Sequence, residues 1–159
     1  MNIFVPRETY RQISDISLDY LMNDINIKGL IFDFDGTLKR DKQISKQTLE
    51  FIEKAKENGL EISVISNNIH LSKSMLKLLN IEVIQKFAFK PLKKPFLNMA
   101  KRMHLKPENI AFIGNNKLSD IWGANRAKMY SIYIQDTNNF FFKKKIKSRL
   151  KDIGIHHID

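Results

Sequence analysis

Short apolar runs alternate along the chain with stretches in which apolar residues recur every three to four positions. The run Leu30-Ile31-Phe32 has Gly29 before it and Gly36 soon after it, the pattern of a brief buried strand. Residues 60–66, 81–84, 110–113 and 130–134 repeat that pattern, with the run at 81–84 the weakest. Helix-period stretches lie between them. Ser45 stands as an N-cap before Leu49, Ile52 and Ala55, which share one face, and Asn58-Gly59 closes that helix. Further helices are predicted around Leu71, Met75, Leu76 and Leu79, over 96–104 and over 118–128, with a turn at Lys106-Pro107-Glu108. Residues 1–28 contain no glycine and carry Ile13, Ile16, Leu18, Leu21, Met22 and Ile25, which predicts one or two short helices packed on the sheet. Strands alternating with helices imply an α/β fold, a three-layer Rossmann-like parallel sheet wrapped on both faces. One domain over 1–159 is expected, with an N-terminal helical extension at 1–28 and a basic helical tail at 140–159. Trp122 and the phenylalanines are expected to fill the core.

The polar residues that interrupt this pattern carry the chemistry. Asp33 and Asp35 follow the first strand, separated by Phe34, and alternation along a strand puts both on one side. Two acids at a strand end are costly to bury without a cation or a shared proton. An EF-hand loop counted from Asp33 needs glycine at its sixth position and glutamate at its twelfth; Leu38 and Ile44 stand there, which excludes it.

In open parallel sheets ligands sit beyond the carboxyl ends of the strands. Besides Asp33 and Asp35, those ends offer Ser66-Asn67 after the second predicted strand, and Asn115 with Asp120 after the fourth. Lys90 lies on the loop after the third. The set suits a phosphate and a divalent metal. A carboxylate approaching a phosphate monoester meets like charge, which costs about 4 kcal/mol for two unit charges 4 Å apart at an effective dielectric of ~20. Magnesium is the expected remedy, with Lys90 and the backbone around Gly36, Thr37 and Asn67 stabilising the equatorial oxygens.

Asp33-Phe34-Asp35-Gly36-Thr37-Leu38 resembles the first signature of the haloacid dehalogenase-like (HAD) phosphohydrolases. The resemblance implies that Asp33 is a nucleophile forming an aspartyl-phosphate and Asp35 a general acid and then base. It further implies that Ser66 binds phosphate, that Lys90 rather than Lys94 is the lysine of the third motif, and that Asp33, Asp35, Asn115 and Asp120 surround Mg2+. Asn115 departs from the usual aspartate, removing a negative charge; weaker metal binding, or a catalytically weakened protein, follows unless Asp120 compensates. Phe4-Val5-Pro6, Lys28-Gly29-Leu30, residues 64–68 and Gly123-Ala124-Asn125-Arg126 are similar to the YqeG family of subgroup IIIA, which resembles the mitochondrial phosphatidylglycerophosphate phosphatases. The spacing from Asp35 to Ser66 admits one loop and one helix, so no large cap domain and an open site are expected.

Charge and composition then narrow the partners. There are 27 Lys+Arg against 17 Asp+Glu, a net charge of +10, which draws the chain toward nucleic acid, ribosomes or an acidic lipid surface. Phe142, Ile146, Leu150 and Ile153 fall at helical spacing among six basic residues between 143 and 151, a segment suited to an anionic membrane or to covering the sheet. The absence of cysteine excludes disulfides and thiolate zinc and favours a cytoplasmic protein, while the basic tail suggests peripheral contact with the inner face of the membrane. His70, His104, His156 and His157 lack metal-ligand spacing. The expected function is Mg2+-dependent hydrolysis of a phosphomonoester, with phosphatidylglycerophosphate favoured through the resemblance. A soluble sugar or nucleotide phosphate and a nucleic-acid- or ribosome-binding role are the alternatives.

Overall fold

A computed structural model of the chain describes residues 2–135. The predicted basic tail at 140–159 lies outside the described residues. Strand β1 (Glu8–Tyr10) and helix α1 (Leu18–Asn23) precede β2 (Gly29–Phe32). There follow α2 (Lys46–Glu57), β3 (Glu61–Ile65), α3 (Lys73–Leu79), β4 (Val83–Gln85), α4 (Lys93–Arg102), β5 (Ile110–Gly114), α5 (Trp122–Arg126) and β6 (Tyr130–Ile134). The six strands make one sheet in the order β1-β6-β5-β2-β3-β4, and every pairing is parallel. All carboxyl ends therefore open on one edge, with β2 central between β3 and β5.

Strand β2 is buried at all four residues, as expected of a strand covered on both faces. Alternation divides the core accordingly. Leu30 and Phe32 join Phe34, Val64, Ile113 and Ile132 on one side. Ile31 joins Ile65, Phe96, Met99 and Phe112 on the other. Burying each such side chain stabilises the fold by about 1.5–3 kcal/mol. The connections that follow β2 and β3, residues 33–45 and 66–72, hold no inserted domain, so the sheet edge has no large cap.

Local signals set most boundaries. Ser45 caps α2 by accepting from Thr48 N, and Gly59 takes φ +82° just beyond its end. Three elements differ from expectation. The N-terminal segment holds a strand as well as helical turns: β1 lies parallel to β6, with Thr9 opposite Tyr133. Helix α4 begins at Lys93, three residues before the predicted 96, because Pro95 is harmless in a first turn, where its missing N–H has no partner to lose. The predicted helix over 118–128 is a π-helical turn, Lys117–Ile121, followed by α5; the side chain of Asn116 accepts from Leu118 N and Ser119 N and so starts that turn. Not every phenylalanine enters the core either: Phe87 and Phe89 are exposed.

Candidate active site

Strand β2 delivers Asp33 to the sheet edge, where Asp33 N still bonds to the Ile113 carbonyl (2.9 Å). The chain then turns at Gly36, whose φ of +79° lies in the left-handed region. A Cβ there would also overlap the Asn115 amide, so glycine is needed for conformation and for clearance. Gly36→Ala is expected to destabilise the fold by about 1–3 kcal/mol and to displace Asn115, read as a lower melting temperature together with weaker magnesium binding.

Lys90 enters from the loop after β4 and is buried. Its Nζ donates to Asp33 Oδ1 at 2.7 Å and to Asp120 Oδ1 at 2.6 Å, and lies 5.5 Å from the centre of the Phe112 ring. Lys94 is exposed. Asp120 is fully committed: its Oδ2 accepts the backbone N–H groups of Asn115 (3.1 Å) and Asn116 (3.0 Å). A Cβ at Gly114 would overlap Asp120, so the end of β5 must be glycine.

Two carboxylates around one ammonium leave a net negative charge out of water. Burial first, and then the charge of Asp120, push the Asp33 carboxyl up to about 6, against the pull of Lys90 and the Thr37 hydroxyl. For Lys90 burial acts to lower the pKa, but the charges of Asp120 and Asp33 outweigh it and raise the ammonium above its ordinary value. Asp35 behaves differently. Burial would raise it, yet hydrogen bonds from Lys39 and Asn68 and the charge of Lys39 hold it below the ordinary carboxylate range. Lys39 Nζ sits 2.7 Å from Asp35 Oδ1, and Asn68 Nδ2 2.9 Å from Asp35 Oδ2.

The tip of the Asn115 amide lies 3.1 Å from Asp33 Oδ2 and 3.3 Å from the Asp35 carbonyl oxygen. Thr37 Oγ1 is 3.3 Å from Asp33 Oδ2 and 3.3 Å from the same amide. With nitrogen inward, Asn115 donates to both oxygens; with oxygen inward, three acceptors face one another and call for a cation. Octahedral magnesium at 2.0–2.1 Å from its ligands sets neighbouring oxygens about 2.9 Å apart, close to these separations. With the Asn115 oxygen inward, one carboxylate, one backbone carbonyl and one amide oxygen would suit Mg2+.

Of the four residues expected around the metal, Asp33, Asp35 and Asn115 converge, and Asp120 stands behind Lys90. Asp35 faces the convergence with its carbonyl, its carboxylate being held by Lys39 and Asn68, and the carboxylate of Asp120 is taken up by Lys90 and two backbone N–H groups. Among the described residues no three His, Cys, Asp or Glu side chains are grouped to hold a metal.

The expected phosphate-binding residues divide similarly. Ser66 is buried at the end of β3, and its Oγ accepts from Asn68 N at 3.1 Å. The side chain of Asn67 is turned to the Lys90 backbone instead, donating to its carbonyl (3.1 Å) and accepting its N–H (2.7 Å). Asn67 thereby braces the loop that carries Lys90. Thr37 is buried against Asp33 and Asn115, and Gly36 is part of the turn beside them. Sequence reasoning missed Lys39 and Asn68 as partners of Asp35; the only signal was their closeness in the chain to Asp35 and Ser66.

The fold, together with the likenesses that follow, defines a HAD-type phosphatase without a large cap. Residues 1–138 match the family model described as mitochondrial PGP phosphatase, and the chain belongs to that family. It is 34% identical over 137 residues to "Probable phosphatase YqeG" of Bacillus subtilis (strain 168), spanning 82% of this chain and 77% of that protein. Among solved structures, a HAD phosphatase from Thermococcus onnurineus superposes with a TM-score of 0.59 at 15% identity, over 70% of this chain and 87% of that one. The cobalt-bound deoxy-D-mannose-octulosonate 8-phosphate phosphatase of Haemophilus influenzae gives 0.54 at 15% identity, over 79% and 92%. These two likenesses concern the fold.

Proposed function

We propose that the chain hydrolyses a phosphomonoester in two displacements, with Asp33 as nucleophile. The observation that carries this reading is the setting of one carboxylate at the sheet edge: Asp33 Oδ1 accepts from Lys90, while Oδ2 lies beside the Thr37 hydroxyl and the Asn115 amide. In the first displacement an Asp33 oxygen bonds to phosphorus as the ester oxygen leaves, and Asp35 gives that oxygen a proton. In the second, water gives its proton to Asp35 and attacks phosphorus, which releases inorganic phosphate and restores the Asp33 carboxylate. Asp35 must leave Lys39 to carry a proton, and its side chain is 41% exposed, so a substrate can reach it. Lys90 and the Ser66 hydroxyl would hold the equatorial oxygens.

Asp33, the Asp35 carbonyl and Asn115 would hold Mg2+, which when bound supplies positive charge against the repulsion between Asp33 and a dianionic phosphate. Asn115→Asp is expected to strengthen magnesium binding by about tenfold in calorimetric titration, because a carboxylate replaces a neutral oxygen. Equal affinity in the two proteins would mean that residue 115 does not face the ion.

Phosphatidylglycerophosphate is the favoured substrate. The family's description, the site without a large cap and the net charge of +10 support it. The test is phosphate release with magnesium from an aryl phosphate, a sugar phosphate, a nucleotide and phosphatidylglycerophosphate in anionic micelles. The lipid phosphate should be turned over with the highest kcat/KM. A soluble sugar or nucleotide phosphate in first place would overturn that choice.

A further inference from the structure

The rim of the pocket is apolar. Ile69, Phe87, Phe89, Leu92 and Leu118 are 53–64% exposed, and all stand on the loops that follow β3, β4 and β5. Parallel strands bring those three loops to one edge. Each loop also sends a polar residue inward: Asn68 to Asp35, Lys90 to Asp33, and Asp120 to Lys90. The outward apolar residues lie within one to three positions of the inward ones, so the collar and the pocket are built on the same segments.

Phe87 and Phe89 deepen the contrast. Both take left-handed backbone, with φ +48° and +56°, which is uncommon for aromatic residues, and their ring centres are 4.2 Å apart. Between them Ala88 is buried, and Lys90 next in line is buried too. A segment that faces its lysine to the pocket thus turns two phenyl rings to the exterior, where they remain in water.

The charge on these three segments has one sign. Lys86 on the loop after β4, Lys93 and Lys94 in the first turn of α4 and Lys117 at the start of the π-helical turn are exposed, and residues 67–72, 86–94 and 115–119 contain no acid. Apolar side chains fringed by lysines match the boundary of an anionic bilayer, where rings enter the acyl layer and ammonium groups stay at the headgroups.

We propose that this collar docks the protein on an anionic lipid bilayer, seating the pocket over a phosphomonoester carried on a lipid headgroup. The proposal rests on the phosphatase reading of the Asp33 pocket. The test uses the full chain and its Phe87→Ser/Leu118→Ser variant in co-sedimentation with phosphatidylglycerol–phosphatidylcholine vesicles, with phosphatidylcholine vesicles as the neutral comparison. Wild type is expected on the anionic vesicles only, and the variant to bind them at least about tenfold more weakly while keeping its melting temperature and its turnover of a soluble aryl phosphate. Equal binding by the two proteins, or no binding of wild type to anionic vesicles, would overturn the proposal. So would a wild-type dimer that the variant splits, since a second copy would then be the occupant. Failure of the catalytic reading registers separately, as collar-dependent vesicle binding without phosphate release from any substrate.

Discussion

Asp33→Asn will abolish phosphatase turnover and, without magnesium, make the fold more stable. The activity loss should be at least about 10⁴-fold, since an amide cannot form the acyl-phosphate and loss of a nucleophile removes the whole covalent route. The stability gain follows from electrostatics. Burial and the charge of Asp120 raise the Asp33 carboxyl to about 6 in the native state, so the folded protein holds that proton more tightly than the unfolded chain does. Between about pH 4 and 6 the native state therefore binds more protons, and the contribution of this group to stability falls as pH rises through that window. At neutral pH the ionised Asp33 is a liability of about 1–3 kcal/mol, and asparagine removes it. Thermal melts should show the variant ahead at pH 7, with the gap closing toward pH 4. Added magnesium should reverse the order, because wild type alone gains binding energy from the ion.

The opposite outcome is expected at Lys90. Lys90→Met keeps most of the buried volume but leaves Asp33 and Asp120 facing each other without their shared ammonium. Removing one member of a buried charge cluster costs about 3–5 kcal/mol, and the cost should shrink as acid protonates the carboxylates. Turnover should fall by about 10²–10³-fold, as it does when a donor to the reacting oxygens is lost. Denaturant melts at pH 5 and pH 7 read the first effect and steady-state rates the second. A variant as stable as wild type at both pH values would mean that the two acids are not held by this lysine.

The two substitutions act on one device, and parts of it were visible before any coordinates. Asp33 and Asp35 directly follow an apolar run, and parallel strands must bring their carboxyl ends together. Ser66, Lys90, Asn115 and Asp120 could therefore be assigned to one edge from chain order alone. What chain order could not show was which partner each side chain chooses. Asn67 was read as a phosphate neighbour through its backbone; chain order gave no sign that its side-chain amide matches the N–H and C=O of Lys90, 23 residues away. Asp35 and Asp120 were expected at the metal through the resemblance; which of their atoms is free is a matter of contacts, since Lys39 and Asn68 hold the Asp35 carboxylate and Lys90 with the 115–116 backbone holds that of Asp120. Gly36 signalled a turn, while its need to clear Asn115 depends on a contact 79 positions distant.

The same limit explains the missed strand. Glu8–Tyr10 is three residues long, too short for alternation to register, and it carries a charge. Its place in the sheet comes from pairing with β6, more than 120 residues later, with Arg7 N bonding to the Ser131 carbonyl and Gln135 N to the Tyr10 carbonyl (both 2.9 Å). Phe87 and Phe89 were misjudged for a related reason: hydrophobicity predicts burial on average, and only the turn around Lys90 shows that these two rings face outward.

The most direct measurement is to stop turnover with acid during steady state on a phosphoryl-labelled aryl phosphate, digest the protein and map the label by mass spectrometry. One hydroxylamine-labile phosphoryl group on Asp33, absent from the Asp33→Asn variant, is the predicted result. A label on any other side chain, or undiminished turnover by Asp33→Asn, would contradict the account.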